Sequence, residues 1–189
     1  MEKIKLGKIL KIKTGLRQIR YKKDEKGKYE YKIIKFKHET TKLINMEELE
    51  IKKTNKEINP KYFLKENDII MKLTPGFDAK RITFNEKNIT VPTNYAIIHT
   101  NNKINPIILE YILNSKNIKT QLQRSTNPTK FNSINISNIK DLEIPIFNSS
   151  EEEILENIIK TFYKRKELFK KEISYREMEI DNLIFLAGE

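Results

Sequence analysis

Residues 150–186 read SEEEILENIIKTFYKRKELFKKEISYREMEIDNLIFL, a stretch without a single Gly or Pro. Its apolar residues recur at Ile154, Ile158, Phe162, Phe169, Ile173, Ile180 and Leu183 or Ile184, in steps of three, four and seven. Such steps keep one stripe on one side of a helix, and a stripe this narrow is the seam of a helix that another helix covers. At 1.5 Å per residue the rod is roughly 55 Å long, longer than a small domain is wide. Ser149 or Ser150, followed by Glu151, Glu152 and Glu153, supplies an N-cap and a capping-box start. Arg165 and Arg176 fall where a strict seam takes apolar residues; such interruptions fix register, or pair with partner acids, at a cost in stability.

The chain in front of the rod has a different charge. Residues 1–148 hold 30 Lys and Arg against 16 Asp and Glu, a balance of +14, whereas residues 149–189 hold 7 against 10 and come to −3. A cationic excess confined to one domain is the footprint of a polyanion binder, because Lys and Arg displace condensed counterions from phosphate. With 31 Lys against 6 Arg and many Ile and Asn, AT-rich coding accounts for the same excess equally well. The absence of Cys excludes disulfides and thiolate metal sites and fits a reducing cytosol. No stretch approaches the ~20 apolar residues of a membrane span, and Met1–Leu10 lacks the apolar core of a signal peptide. A cytoplasmic protein is the expectation.

The periodicities predict one α+β domain over residues 1–148 and the long coiled-coil helix over 149–189. Met1–Lys13 alternates charged and aliphatic residues like a half-buried strand, although Leu6–Leu10 also suits a short helix. Ile19-Arg20-Tyr21 and Tyr29–Phe36, separated by the polar turn Lys22–Lys28, suit a hairpin. Strands are expected at Ile69–Leu73, within Phe77–Phe84 and within Val91–Thr100. Asn105-Pro106 opens a helix over Ile107–Lys116 with Ile108, Tyr111 and Ile112 on one face, Pro occupying a first turn whose N–H has no helical partner. Ile118–Gln123 continues as helix, Arg124–Ser133 is a loop, and Ile134–Ile146 closes the domain in short apolar pieces.

Catalytic patterns are scarce. Asn127-Pro128-Thr129-Lys130 lacks the second Pro and the aromatic of an adenine-methyltransferase loop, and no Gly-rich cofactor turn or Gly-x-x-x-x-Gly-Lys phosphate loop occurs. His38 and His99 stand in unrelated strand-like segments. The Glu-x-Lys spacings Glu30-Tyr31-Lys32 and Glu50-Ile51-Lys52 match half of a Mg²⁺-dependent nuclease site. They occur no more often than 21 Glu and 31 Lys produce by chance. No cofactor and no metal site is expected.

What remains is binding. Three segments join cations to amide or hydroxyl side chains: one with Lys13, Thr14, Arg17, Gln18 and Arg20, one with Lys72, Thr74, Lys80 and Arg81, and one with Gln123, Arg124, Asn127 and Lys130. Arg reads guanine and Gln or Asn reads adenine through paired hydrogen bonds, while Lys, Ser and Thr hold phosphates. Four of the six Arg lie in these segments, a bias that the spread of Lys does not share.

Four pieces carry a family resemblance: Lys5-Leu6-Gly7-Lys8-Ile9-Leu10-Lys11-Ile12-Lys13-Thr14-Gly15, Leu64-Lys65-Glu66-Asn67-Asp68-Ile69-Ile70, Asn105-Pro106-Ile107-Ile108-Leu109-Glu110-Tyr111-Ile112-Leu113-Asn114-Ser115, and Ile136-Ser137-Asn138-Ile139-Lys140-Asp141-Leu142-Glu143-Ile144-Pro145. In this order and spacing, running into a long helix, the chain resembles the specificity subunit of type I restriction-modification systems over nearly its whole length. The resemblance implies a target-recognition domain that reads double-stranded DNA, followed by a long conserved helix. It implies two such units in a full-length member, whose helices pair antiparallel as a spacer between half-sites. This chain carries one unit, lacks the Pro-rich, Gln-containing continuation before the helix, and has Asn67 where Gly is usual. The family's base-reading residues change with the target, so no individual contact carries over. The function implied is non-catalytic: sequence-specific binding by a homodimer reading a split inverted repeat, with methyltransferase subunits and a restriction motor subunit as partners. A stand-alone DNA-binding regulator on the same fold and a small Mg²⁺-dependent nuclease are the alternatives.

Overall fold

The computed structural model describes residues 2–34, 49–101, 103–125 and 133–186. The chain divides into two compact units, residues 1–146 and 147–189. His38 of the sequence reading lies outside the described residues.

The first unit is built on an antiparallel sheet of β2 (Lys11–Thr14), β8 (Tyr95–His99), β5 (Ile69–Lys72) and β6 (Ala79–Arg81), in that order. Ile12, Ile98, Ile69 and Met71 line one face together with Ala96 and Ala79. That face meets α1 (Leu6–Ile9), α2 (Pro106–Leu113), α3 (Lys116–Ser125) and α4 (Ile136–Lys140) in the largest core cluster. The other face presents Ile70, Tyr95 and Ile97 to Ile34, Leu64, Ile82, Ile89 and Val91. Burial of both faces is why Ile69-Ile70-Met71 and Tyr95-Ala96-Ile97-Ile98 are unbroken apolar runs rather than alternating ones. A second sheet, β4 (Glu50–Thr54), β3 (Tyr29–Ile33) and β7 (Ile89–Thr90), adds a smaller core of Leu16, Tyr31, Ile33 and Ile58.

The chain ends of this unit meet. β1 (Lys3–Lys5) pairs antiparallel with β9 (Glu143–Pro145), and the Leu6 N–H donates to Leu142 O at 2.9 Å. α1 approaches α4 so closely that a Cβ on Gly7 would lie 2.7 Å from Lys140 Cβ. Gly15 is tighter still, since its Cβ would sit 2.2 Å from Val91 O and 2.3 Å from Pro92 O. Asn67 has φ +67°, the left-handed region that Gly enters without strain and Asn tolerates better than most residues. Asn67 therefore holds a turn that would otherwise call for Gly.

Several sequence expectations change. The alternating start resolves into β1, α1 and β2. Tyr29–Ile33 forms no hairpin with Ile19–Tyr21, because β4 and β7 occupy both edges of β3; residues 18–20 instead make a 3-10 turn. On α2 the packed face is Ile108, Leu109 and Leu113 with Ile112 partly buried against the same core, and of the expected face only Tyr111 is exposed. Arg124 ends α3 rather than starting a loop. α5 (Ser149–Leu186) is capped by Asn148, not Ser149 or Ser150: Asn148 Oδ1 accepts from the Glu151 N–H at 3.0 Å, and Glu151 Oε2 from the Asn148 N–H at 2.9 Å. This reciprocal box fits a serine at neither position, because Glu151 is the third helical residue.

Gly15→Ala would force a Cβ into two backbone carbonyls and is expected to cost about 3 kcal/mol or more of unfolding free energy. Asn67→Ala is expected to cost about 1–2 kcal/mol from its left-handed backbone alone. Urea titrations followed by circular dichroism check both.

Candidate nucleic-acid interface

Strand directions decide which candidate residues can act together. β2 and β5 both run antiparallel to β8, so Thr14 at the end of β2 and Lys72 at the end of β5 emerge at the same end of the sheet. Two strand spacings, about 10 Å, separate them. Near this end the Ile134 N–H donates to Leu73 O at 2.9 Å, and Lys119 Nζ of α3 donates to Asp78 Oδ1 at 2.6 Å. The segment of Lys13, Thr14, Arg17, Gln18 and Arg20 thus leaves the sheet at the end where the segment of Lys72 and Thr74 does, and Gln123 and Arg124 are on the last turn of α3. Asn127 and Lys130 lie outside the described residues.

Lys80 and Arg81 run back along β6, away from this end. Both face the buried carboxylate of Glu110 on α2, with Lys80 Nζ 3.7 Å from Oε1 and Arg81 Nε 3.9 Å from Oε2. Arg81 also donates through Nη1 to Asn67 Oδ1 at 3.2 Å. Asn114, one turn beyond Glu110, takes the Ala79 N–H on its Oδ1 at 3.0 Å and donates its Nδ2 to Ala79 O at 2.8 Å, serving β6 as a further strand would. Replacing Arg81 therefore disturbs an internal ion pair as well as any outward contact.

The turn after β2 is the most exposed part of the cluster. Gly15 and Leu16 anchor it through Gly15 N–H to Tyr95 O at 2.9 Å and Leu16 N–H to Val91 O at 2.7 Å. Residues 17–20 then project, with Ile19 80% exposed between Gln18 and Arg20. Gln18, Ile19, Tyr21, Lys22, Lys23, Tyr31 and Lys52 line an open pocket of about 380 Å³. Lys52 Nζ donates to Gln18 Oε1 at 2.8 Å and lies 3.1 Å from Glu50 Oε1, tying the turn to β4. Burial pushes the Tyr31 phenol above its ordinary range, and Glu50 and Tyr21 add to the shift, so it stays a donor. Lys22, Lys23 and Lys52 were hidden in the sequence because nothing marks them among 31 Lys; their nearness to Arg20 and Tyr21 was the available signal.

Lys13 is partly buried on β2. Burial pushes its ammonium below the usual lysine range; Asp68 pulls it back in part, while Lys61, Lys65 and Lys11 act with burial. Asp68 also receives the Lys65 N–H at 2.9 Å and sits 2.9 Å from His99 Nδ1, which makes His99 a partner in the core. Among the described residues no three His, Cys, Asp or Glu side chains gather as a metal site. Glu30 lies 3.7 Å from Lys53. No helix among the described residues is long and apolar enough to cross a membrane.

In the second unit α5 is one uninterrupted helix, and Ile154, Ile158, Phe162, Phe169, Ile173, Ile180, Leu183 and Ile184 are each between 48% and 66% exposed.

Glu110→Ala strips Lys80 and Arg81 of their shared partner and is expected to lower the unfolding free energy by about 2 kcal/mol, less than a fully buried pair because both cations are partly hydrated. Arg17→Ala, on the exposed turn, is expected to stay within about 0.5 kcal/mol of the parent chain. Urea unfolding of the two variants separates the internal ion pair from the outward turn.

No protein-family model and no curated protein sequence matches the chain. Solved structures do. A structure described as explaining complex assembly and conformational transition of the type I R-M system superimposes with TM-score 0.70 at 14% identity, over 96% of this chain and 43% of that one. The HsdS subunit from Thermoanaerobacter tengcongensis gives TM-score 0.64 at 12% identity, over 90% and 39%. The type I restriction-modification S subunit from M. genitalium gives 0.53 at 16% identity, over 92% and 41%. The chain thus spans about two fifths of the length of these structures, and its fold, an α+β unit followed by a long helix, is that of type I specificity subunits.

Proposed function

We propose that the chain binds double-stranded DNA sequence-specifically, as the address-reading component of a type I restriction-modification system. The observation that carries this reading is that β2 and β5 deliver two segments of cations, amides and hydroxyls, at Thr14 and Lys72, to one end of the four-stranded sheet. The +14 balance of residues 1–148 supports it, as does the likeness to specificity subunits. In this reading Arg17, Gln18 and Arg20 reach base edges. Lys13, Lys72 and Thr74 hold phosphates and position the turn, joined by Gln123, Arg124, Asn127 and Lys130, while Lys80 and Arg81, paired with Glu110, brace β6.

The domain of 1–148 reads one half-site, and the helix of 149–189 pairs with a second copy. Two copies, related by a two-fold axis, would then read two inverted copies of one short sequence at a set separation. Methylation and cleavage would fall to partner subunits, the first flipping its target base out of the stack. This chain would supply no chemistry of its own and would work in the cytoplasm. Co-purification with a methyltransferase separates this role from that of a free-standing regulator.

Selection from a random duplex pool, followed by anisotropy titration, tests the reading. A defined split inverted repeat is expected, with affinity falling steeply as salt rises. Arg17→Ala is expected to weaken the selected site about tenfold or more while leaving non-specific binding nearly unchanged. Equal affinity of variant and parent for the selected site would reject the assignment of the turn.

A further inference from the structure

Gln18, on the exposed turn, is not free to choose which end of its amide it offers. An ammonium can only donate, so the contact from Lys52 Nζ at 2.8 Å fixes Oε1 as the end turned toward β4. Lys52 is held in turn by Glu50, whose Oε1 lies 3.1 Å from the same Nζ. In the ladder of β3 and β4, Lys52 stands opposite the buried Tyr31 and Glu50 opposite the buried Ile33, so both charged residues rise from one firmly packed face. The Lys52 side chain is 19% exposed, against 66% for Lys23 on the same pocket. Its charge is therefore engaged by Glu50 and Gln18, whereas Lys22 and Lys23 face solvent. Turning the amide over would aim two N–H groups at a cation, which leaves one stable sense. Among the described residues no acceptor meets Gln18 Nε2. The backbone beneath is set as well, since the Arg20 N–H donates to Arg17 O at 3.1 Å and the Tyr21 N–H to Gln18 O at 2.8 Å.

We propose that Lys52 is a positioning residue for specificity: it locks Gln18 with the Nε2 donor outward, so that the turn takes a base edge bearing an acceptor and excludes cytosine. The inference rests on the DNA-reading proposal, and it assigns the choice made by the turn to a residue on a separate strand, 34 positions away. In the major groove the matching acceptors are a purine N7, guanine O6 and thymine O4, whereas cytosine presents its N4 amino group. Two donors facing each other in a desolvated contact both go without a partner, which costs about tenfold or more in affinity. Because the amide is held before DNA arrives, binding does not have to order it. Without its tether the amide would turn over and offer Oε1 to the cytosine amino group.

Parallel selections from a random duplex pool with the full-length parent and its variants test this, followed by anisotropy titration of the selected duplex carrying each base in turn. The parent is expected to disfavour cytosine about tenfold or more at one position of its site. Lys52→Met is expected to bring cytosine there to within about threefold of the best base, with the other positions unchanged. Lys52→Arg keeps a donor and is expected to retain the exclusion. Gln18→Glu, whose carboxylate would pair with Lys52 and offer only acceptors, is expected to prefer cytosine at that same position. Lys23→Met, the control, is expected to weaken all sequences alike. A Lys52→Met chain that binds more weakly yet ranks the four bases as the parent does would overturn the inference, as would a parent site that tolerates cytosine throughout. In both cases the selected site leaves the DNA reading standing; a parent that enriches no sequence overturns that reading and this inference together.

Discussion

The ladder between Ile69–Lys72 and Tyr95–His99 is the constraint on which the globular unit depends. These two strands are hydrogen-bonded to each other, flanked by β2 and β6, and packed on both faces. Because β8 runs against both of its neighbours, the exits of β2 and β5 are forced to one end. That single fact of strand direction gathers cationic segments that are more than fifty residues apart in the chain. The loops can change sequence without disturbing the ladder, since the burial is in the strands and the exposure is in the turns.

The four pieces of sequence that carry the resemblance build the scaffold around this ladder. Leu6 and Gly7 are fixed by contact with Leu142 and Lys140, so the first and last pieces are two halves of one joint. Asn67 and Asp68 form the turn into β5, one through its left-handed backbone and the other by binding the Lys65 N–H and His99. Asn105 caps α2, accepting from the Ile107 and Ile108 N–H groups, and Asn114 seals the edge of β6. None of these residues belongs to the exposed turns. They build the platform on which those turns stand.

The long helix and the α+β character were legible because they follow from periodicity and from the absence of helix breakers. The buried runs at 69–73 and 95–98 were legible for the same reason. Pairing between distant strands was not: nothing local in Tyr29–Ile33 says that its partners are Glu50–Thr54 and Ile89–Thr90 rather than the nearer Ile19–Tyr21. The sequence points to Ser149 or Ser150 as the cap of α5, and only geometry shows that Glu151 answers Asn148. The internal role of Lys80 and Arg81 was equally invisible, since their counter-charge, Glu110, is nearly thirty residues away. Two of the three cationic segments emerge side by side in space, which composition alone had no means of indicating.

The proposed DNA-reading surface is one end of the four-stranded sheet. Hydrogen–deuterium exchange with and without the selected duplex tests that claim most directly, because it maps contact without any substitution. Slowed exchange in residues 14–23 and 73–78 is the predicted result. Slowed exchange confined to α2 and β6, with those turns unchanged, would contradict it.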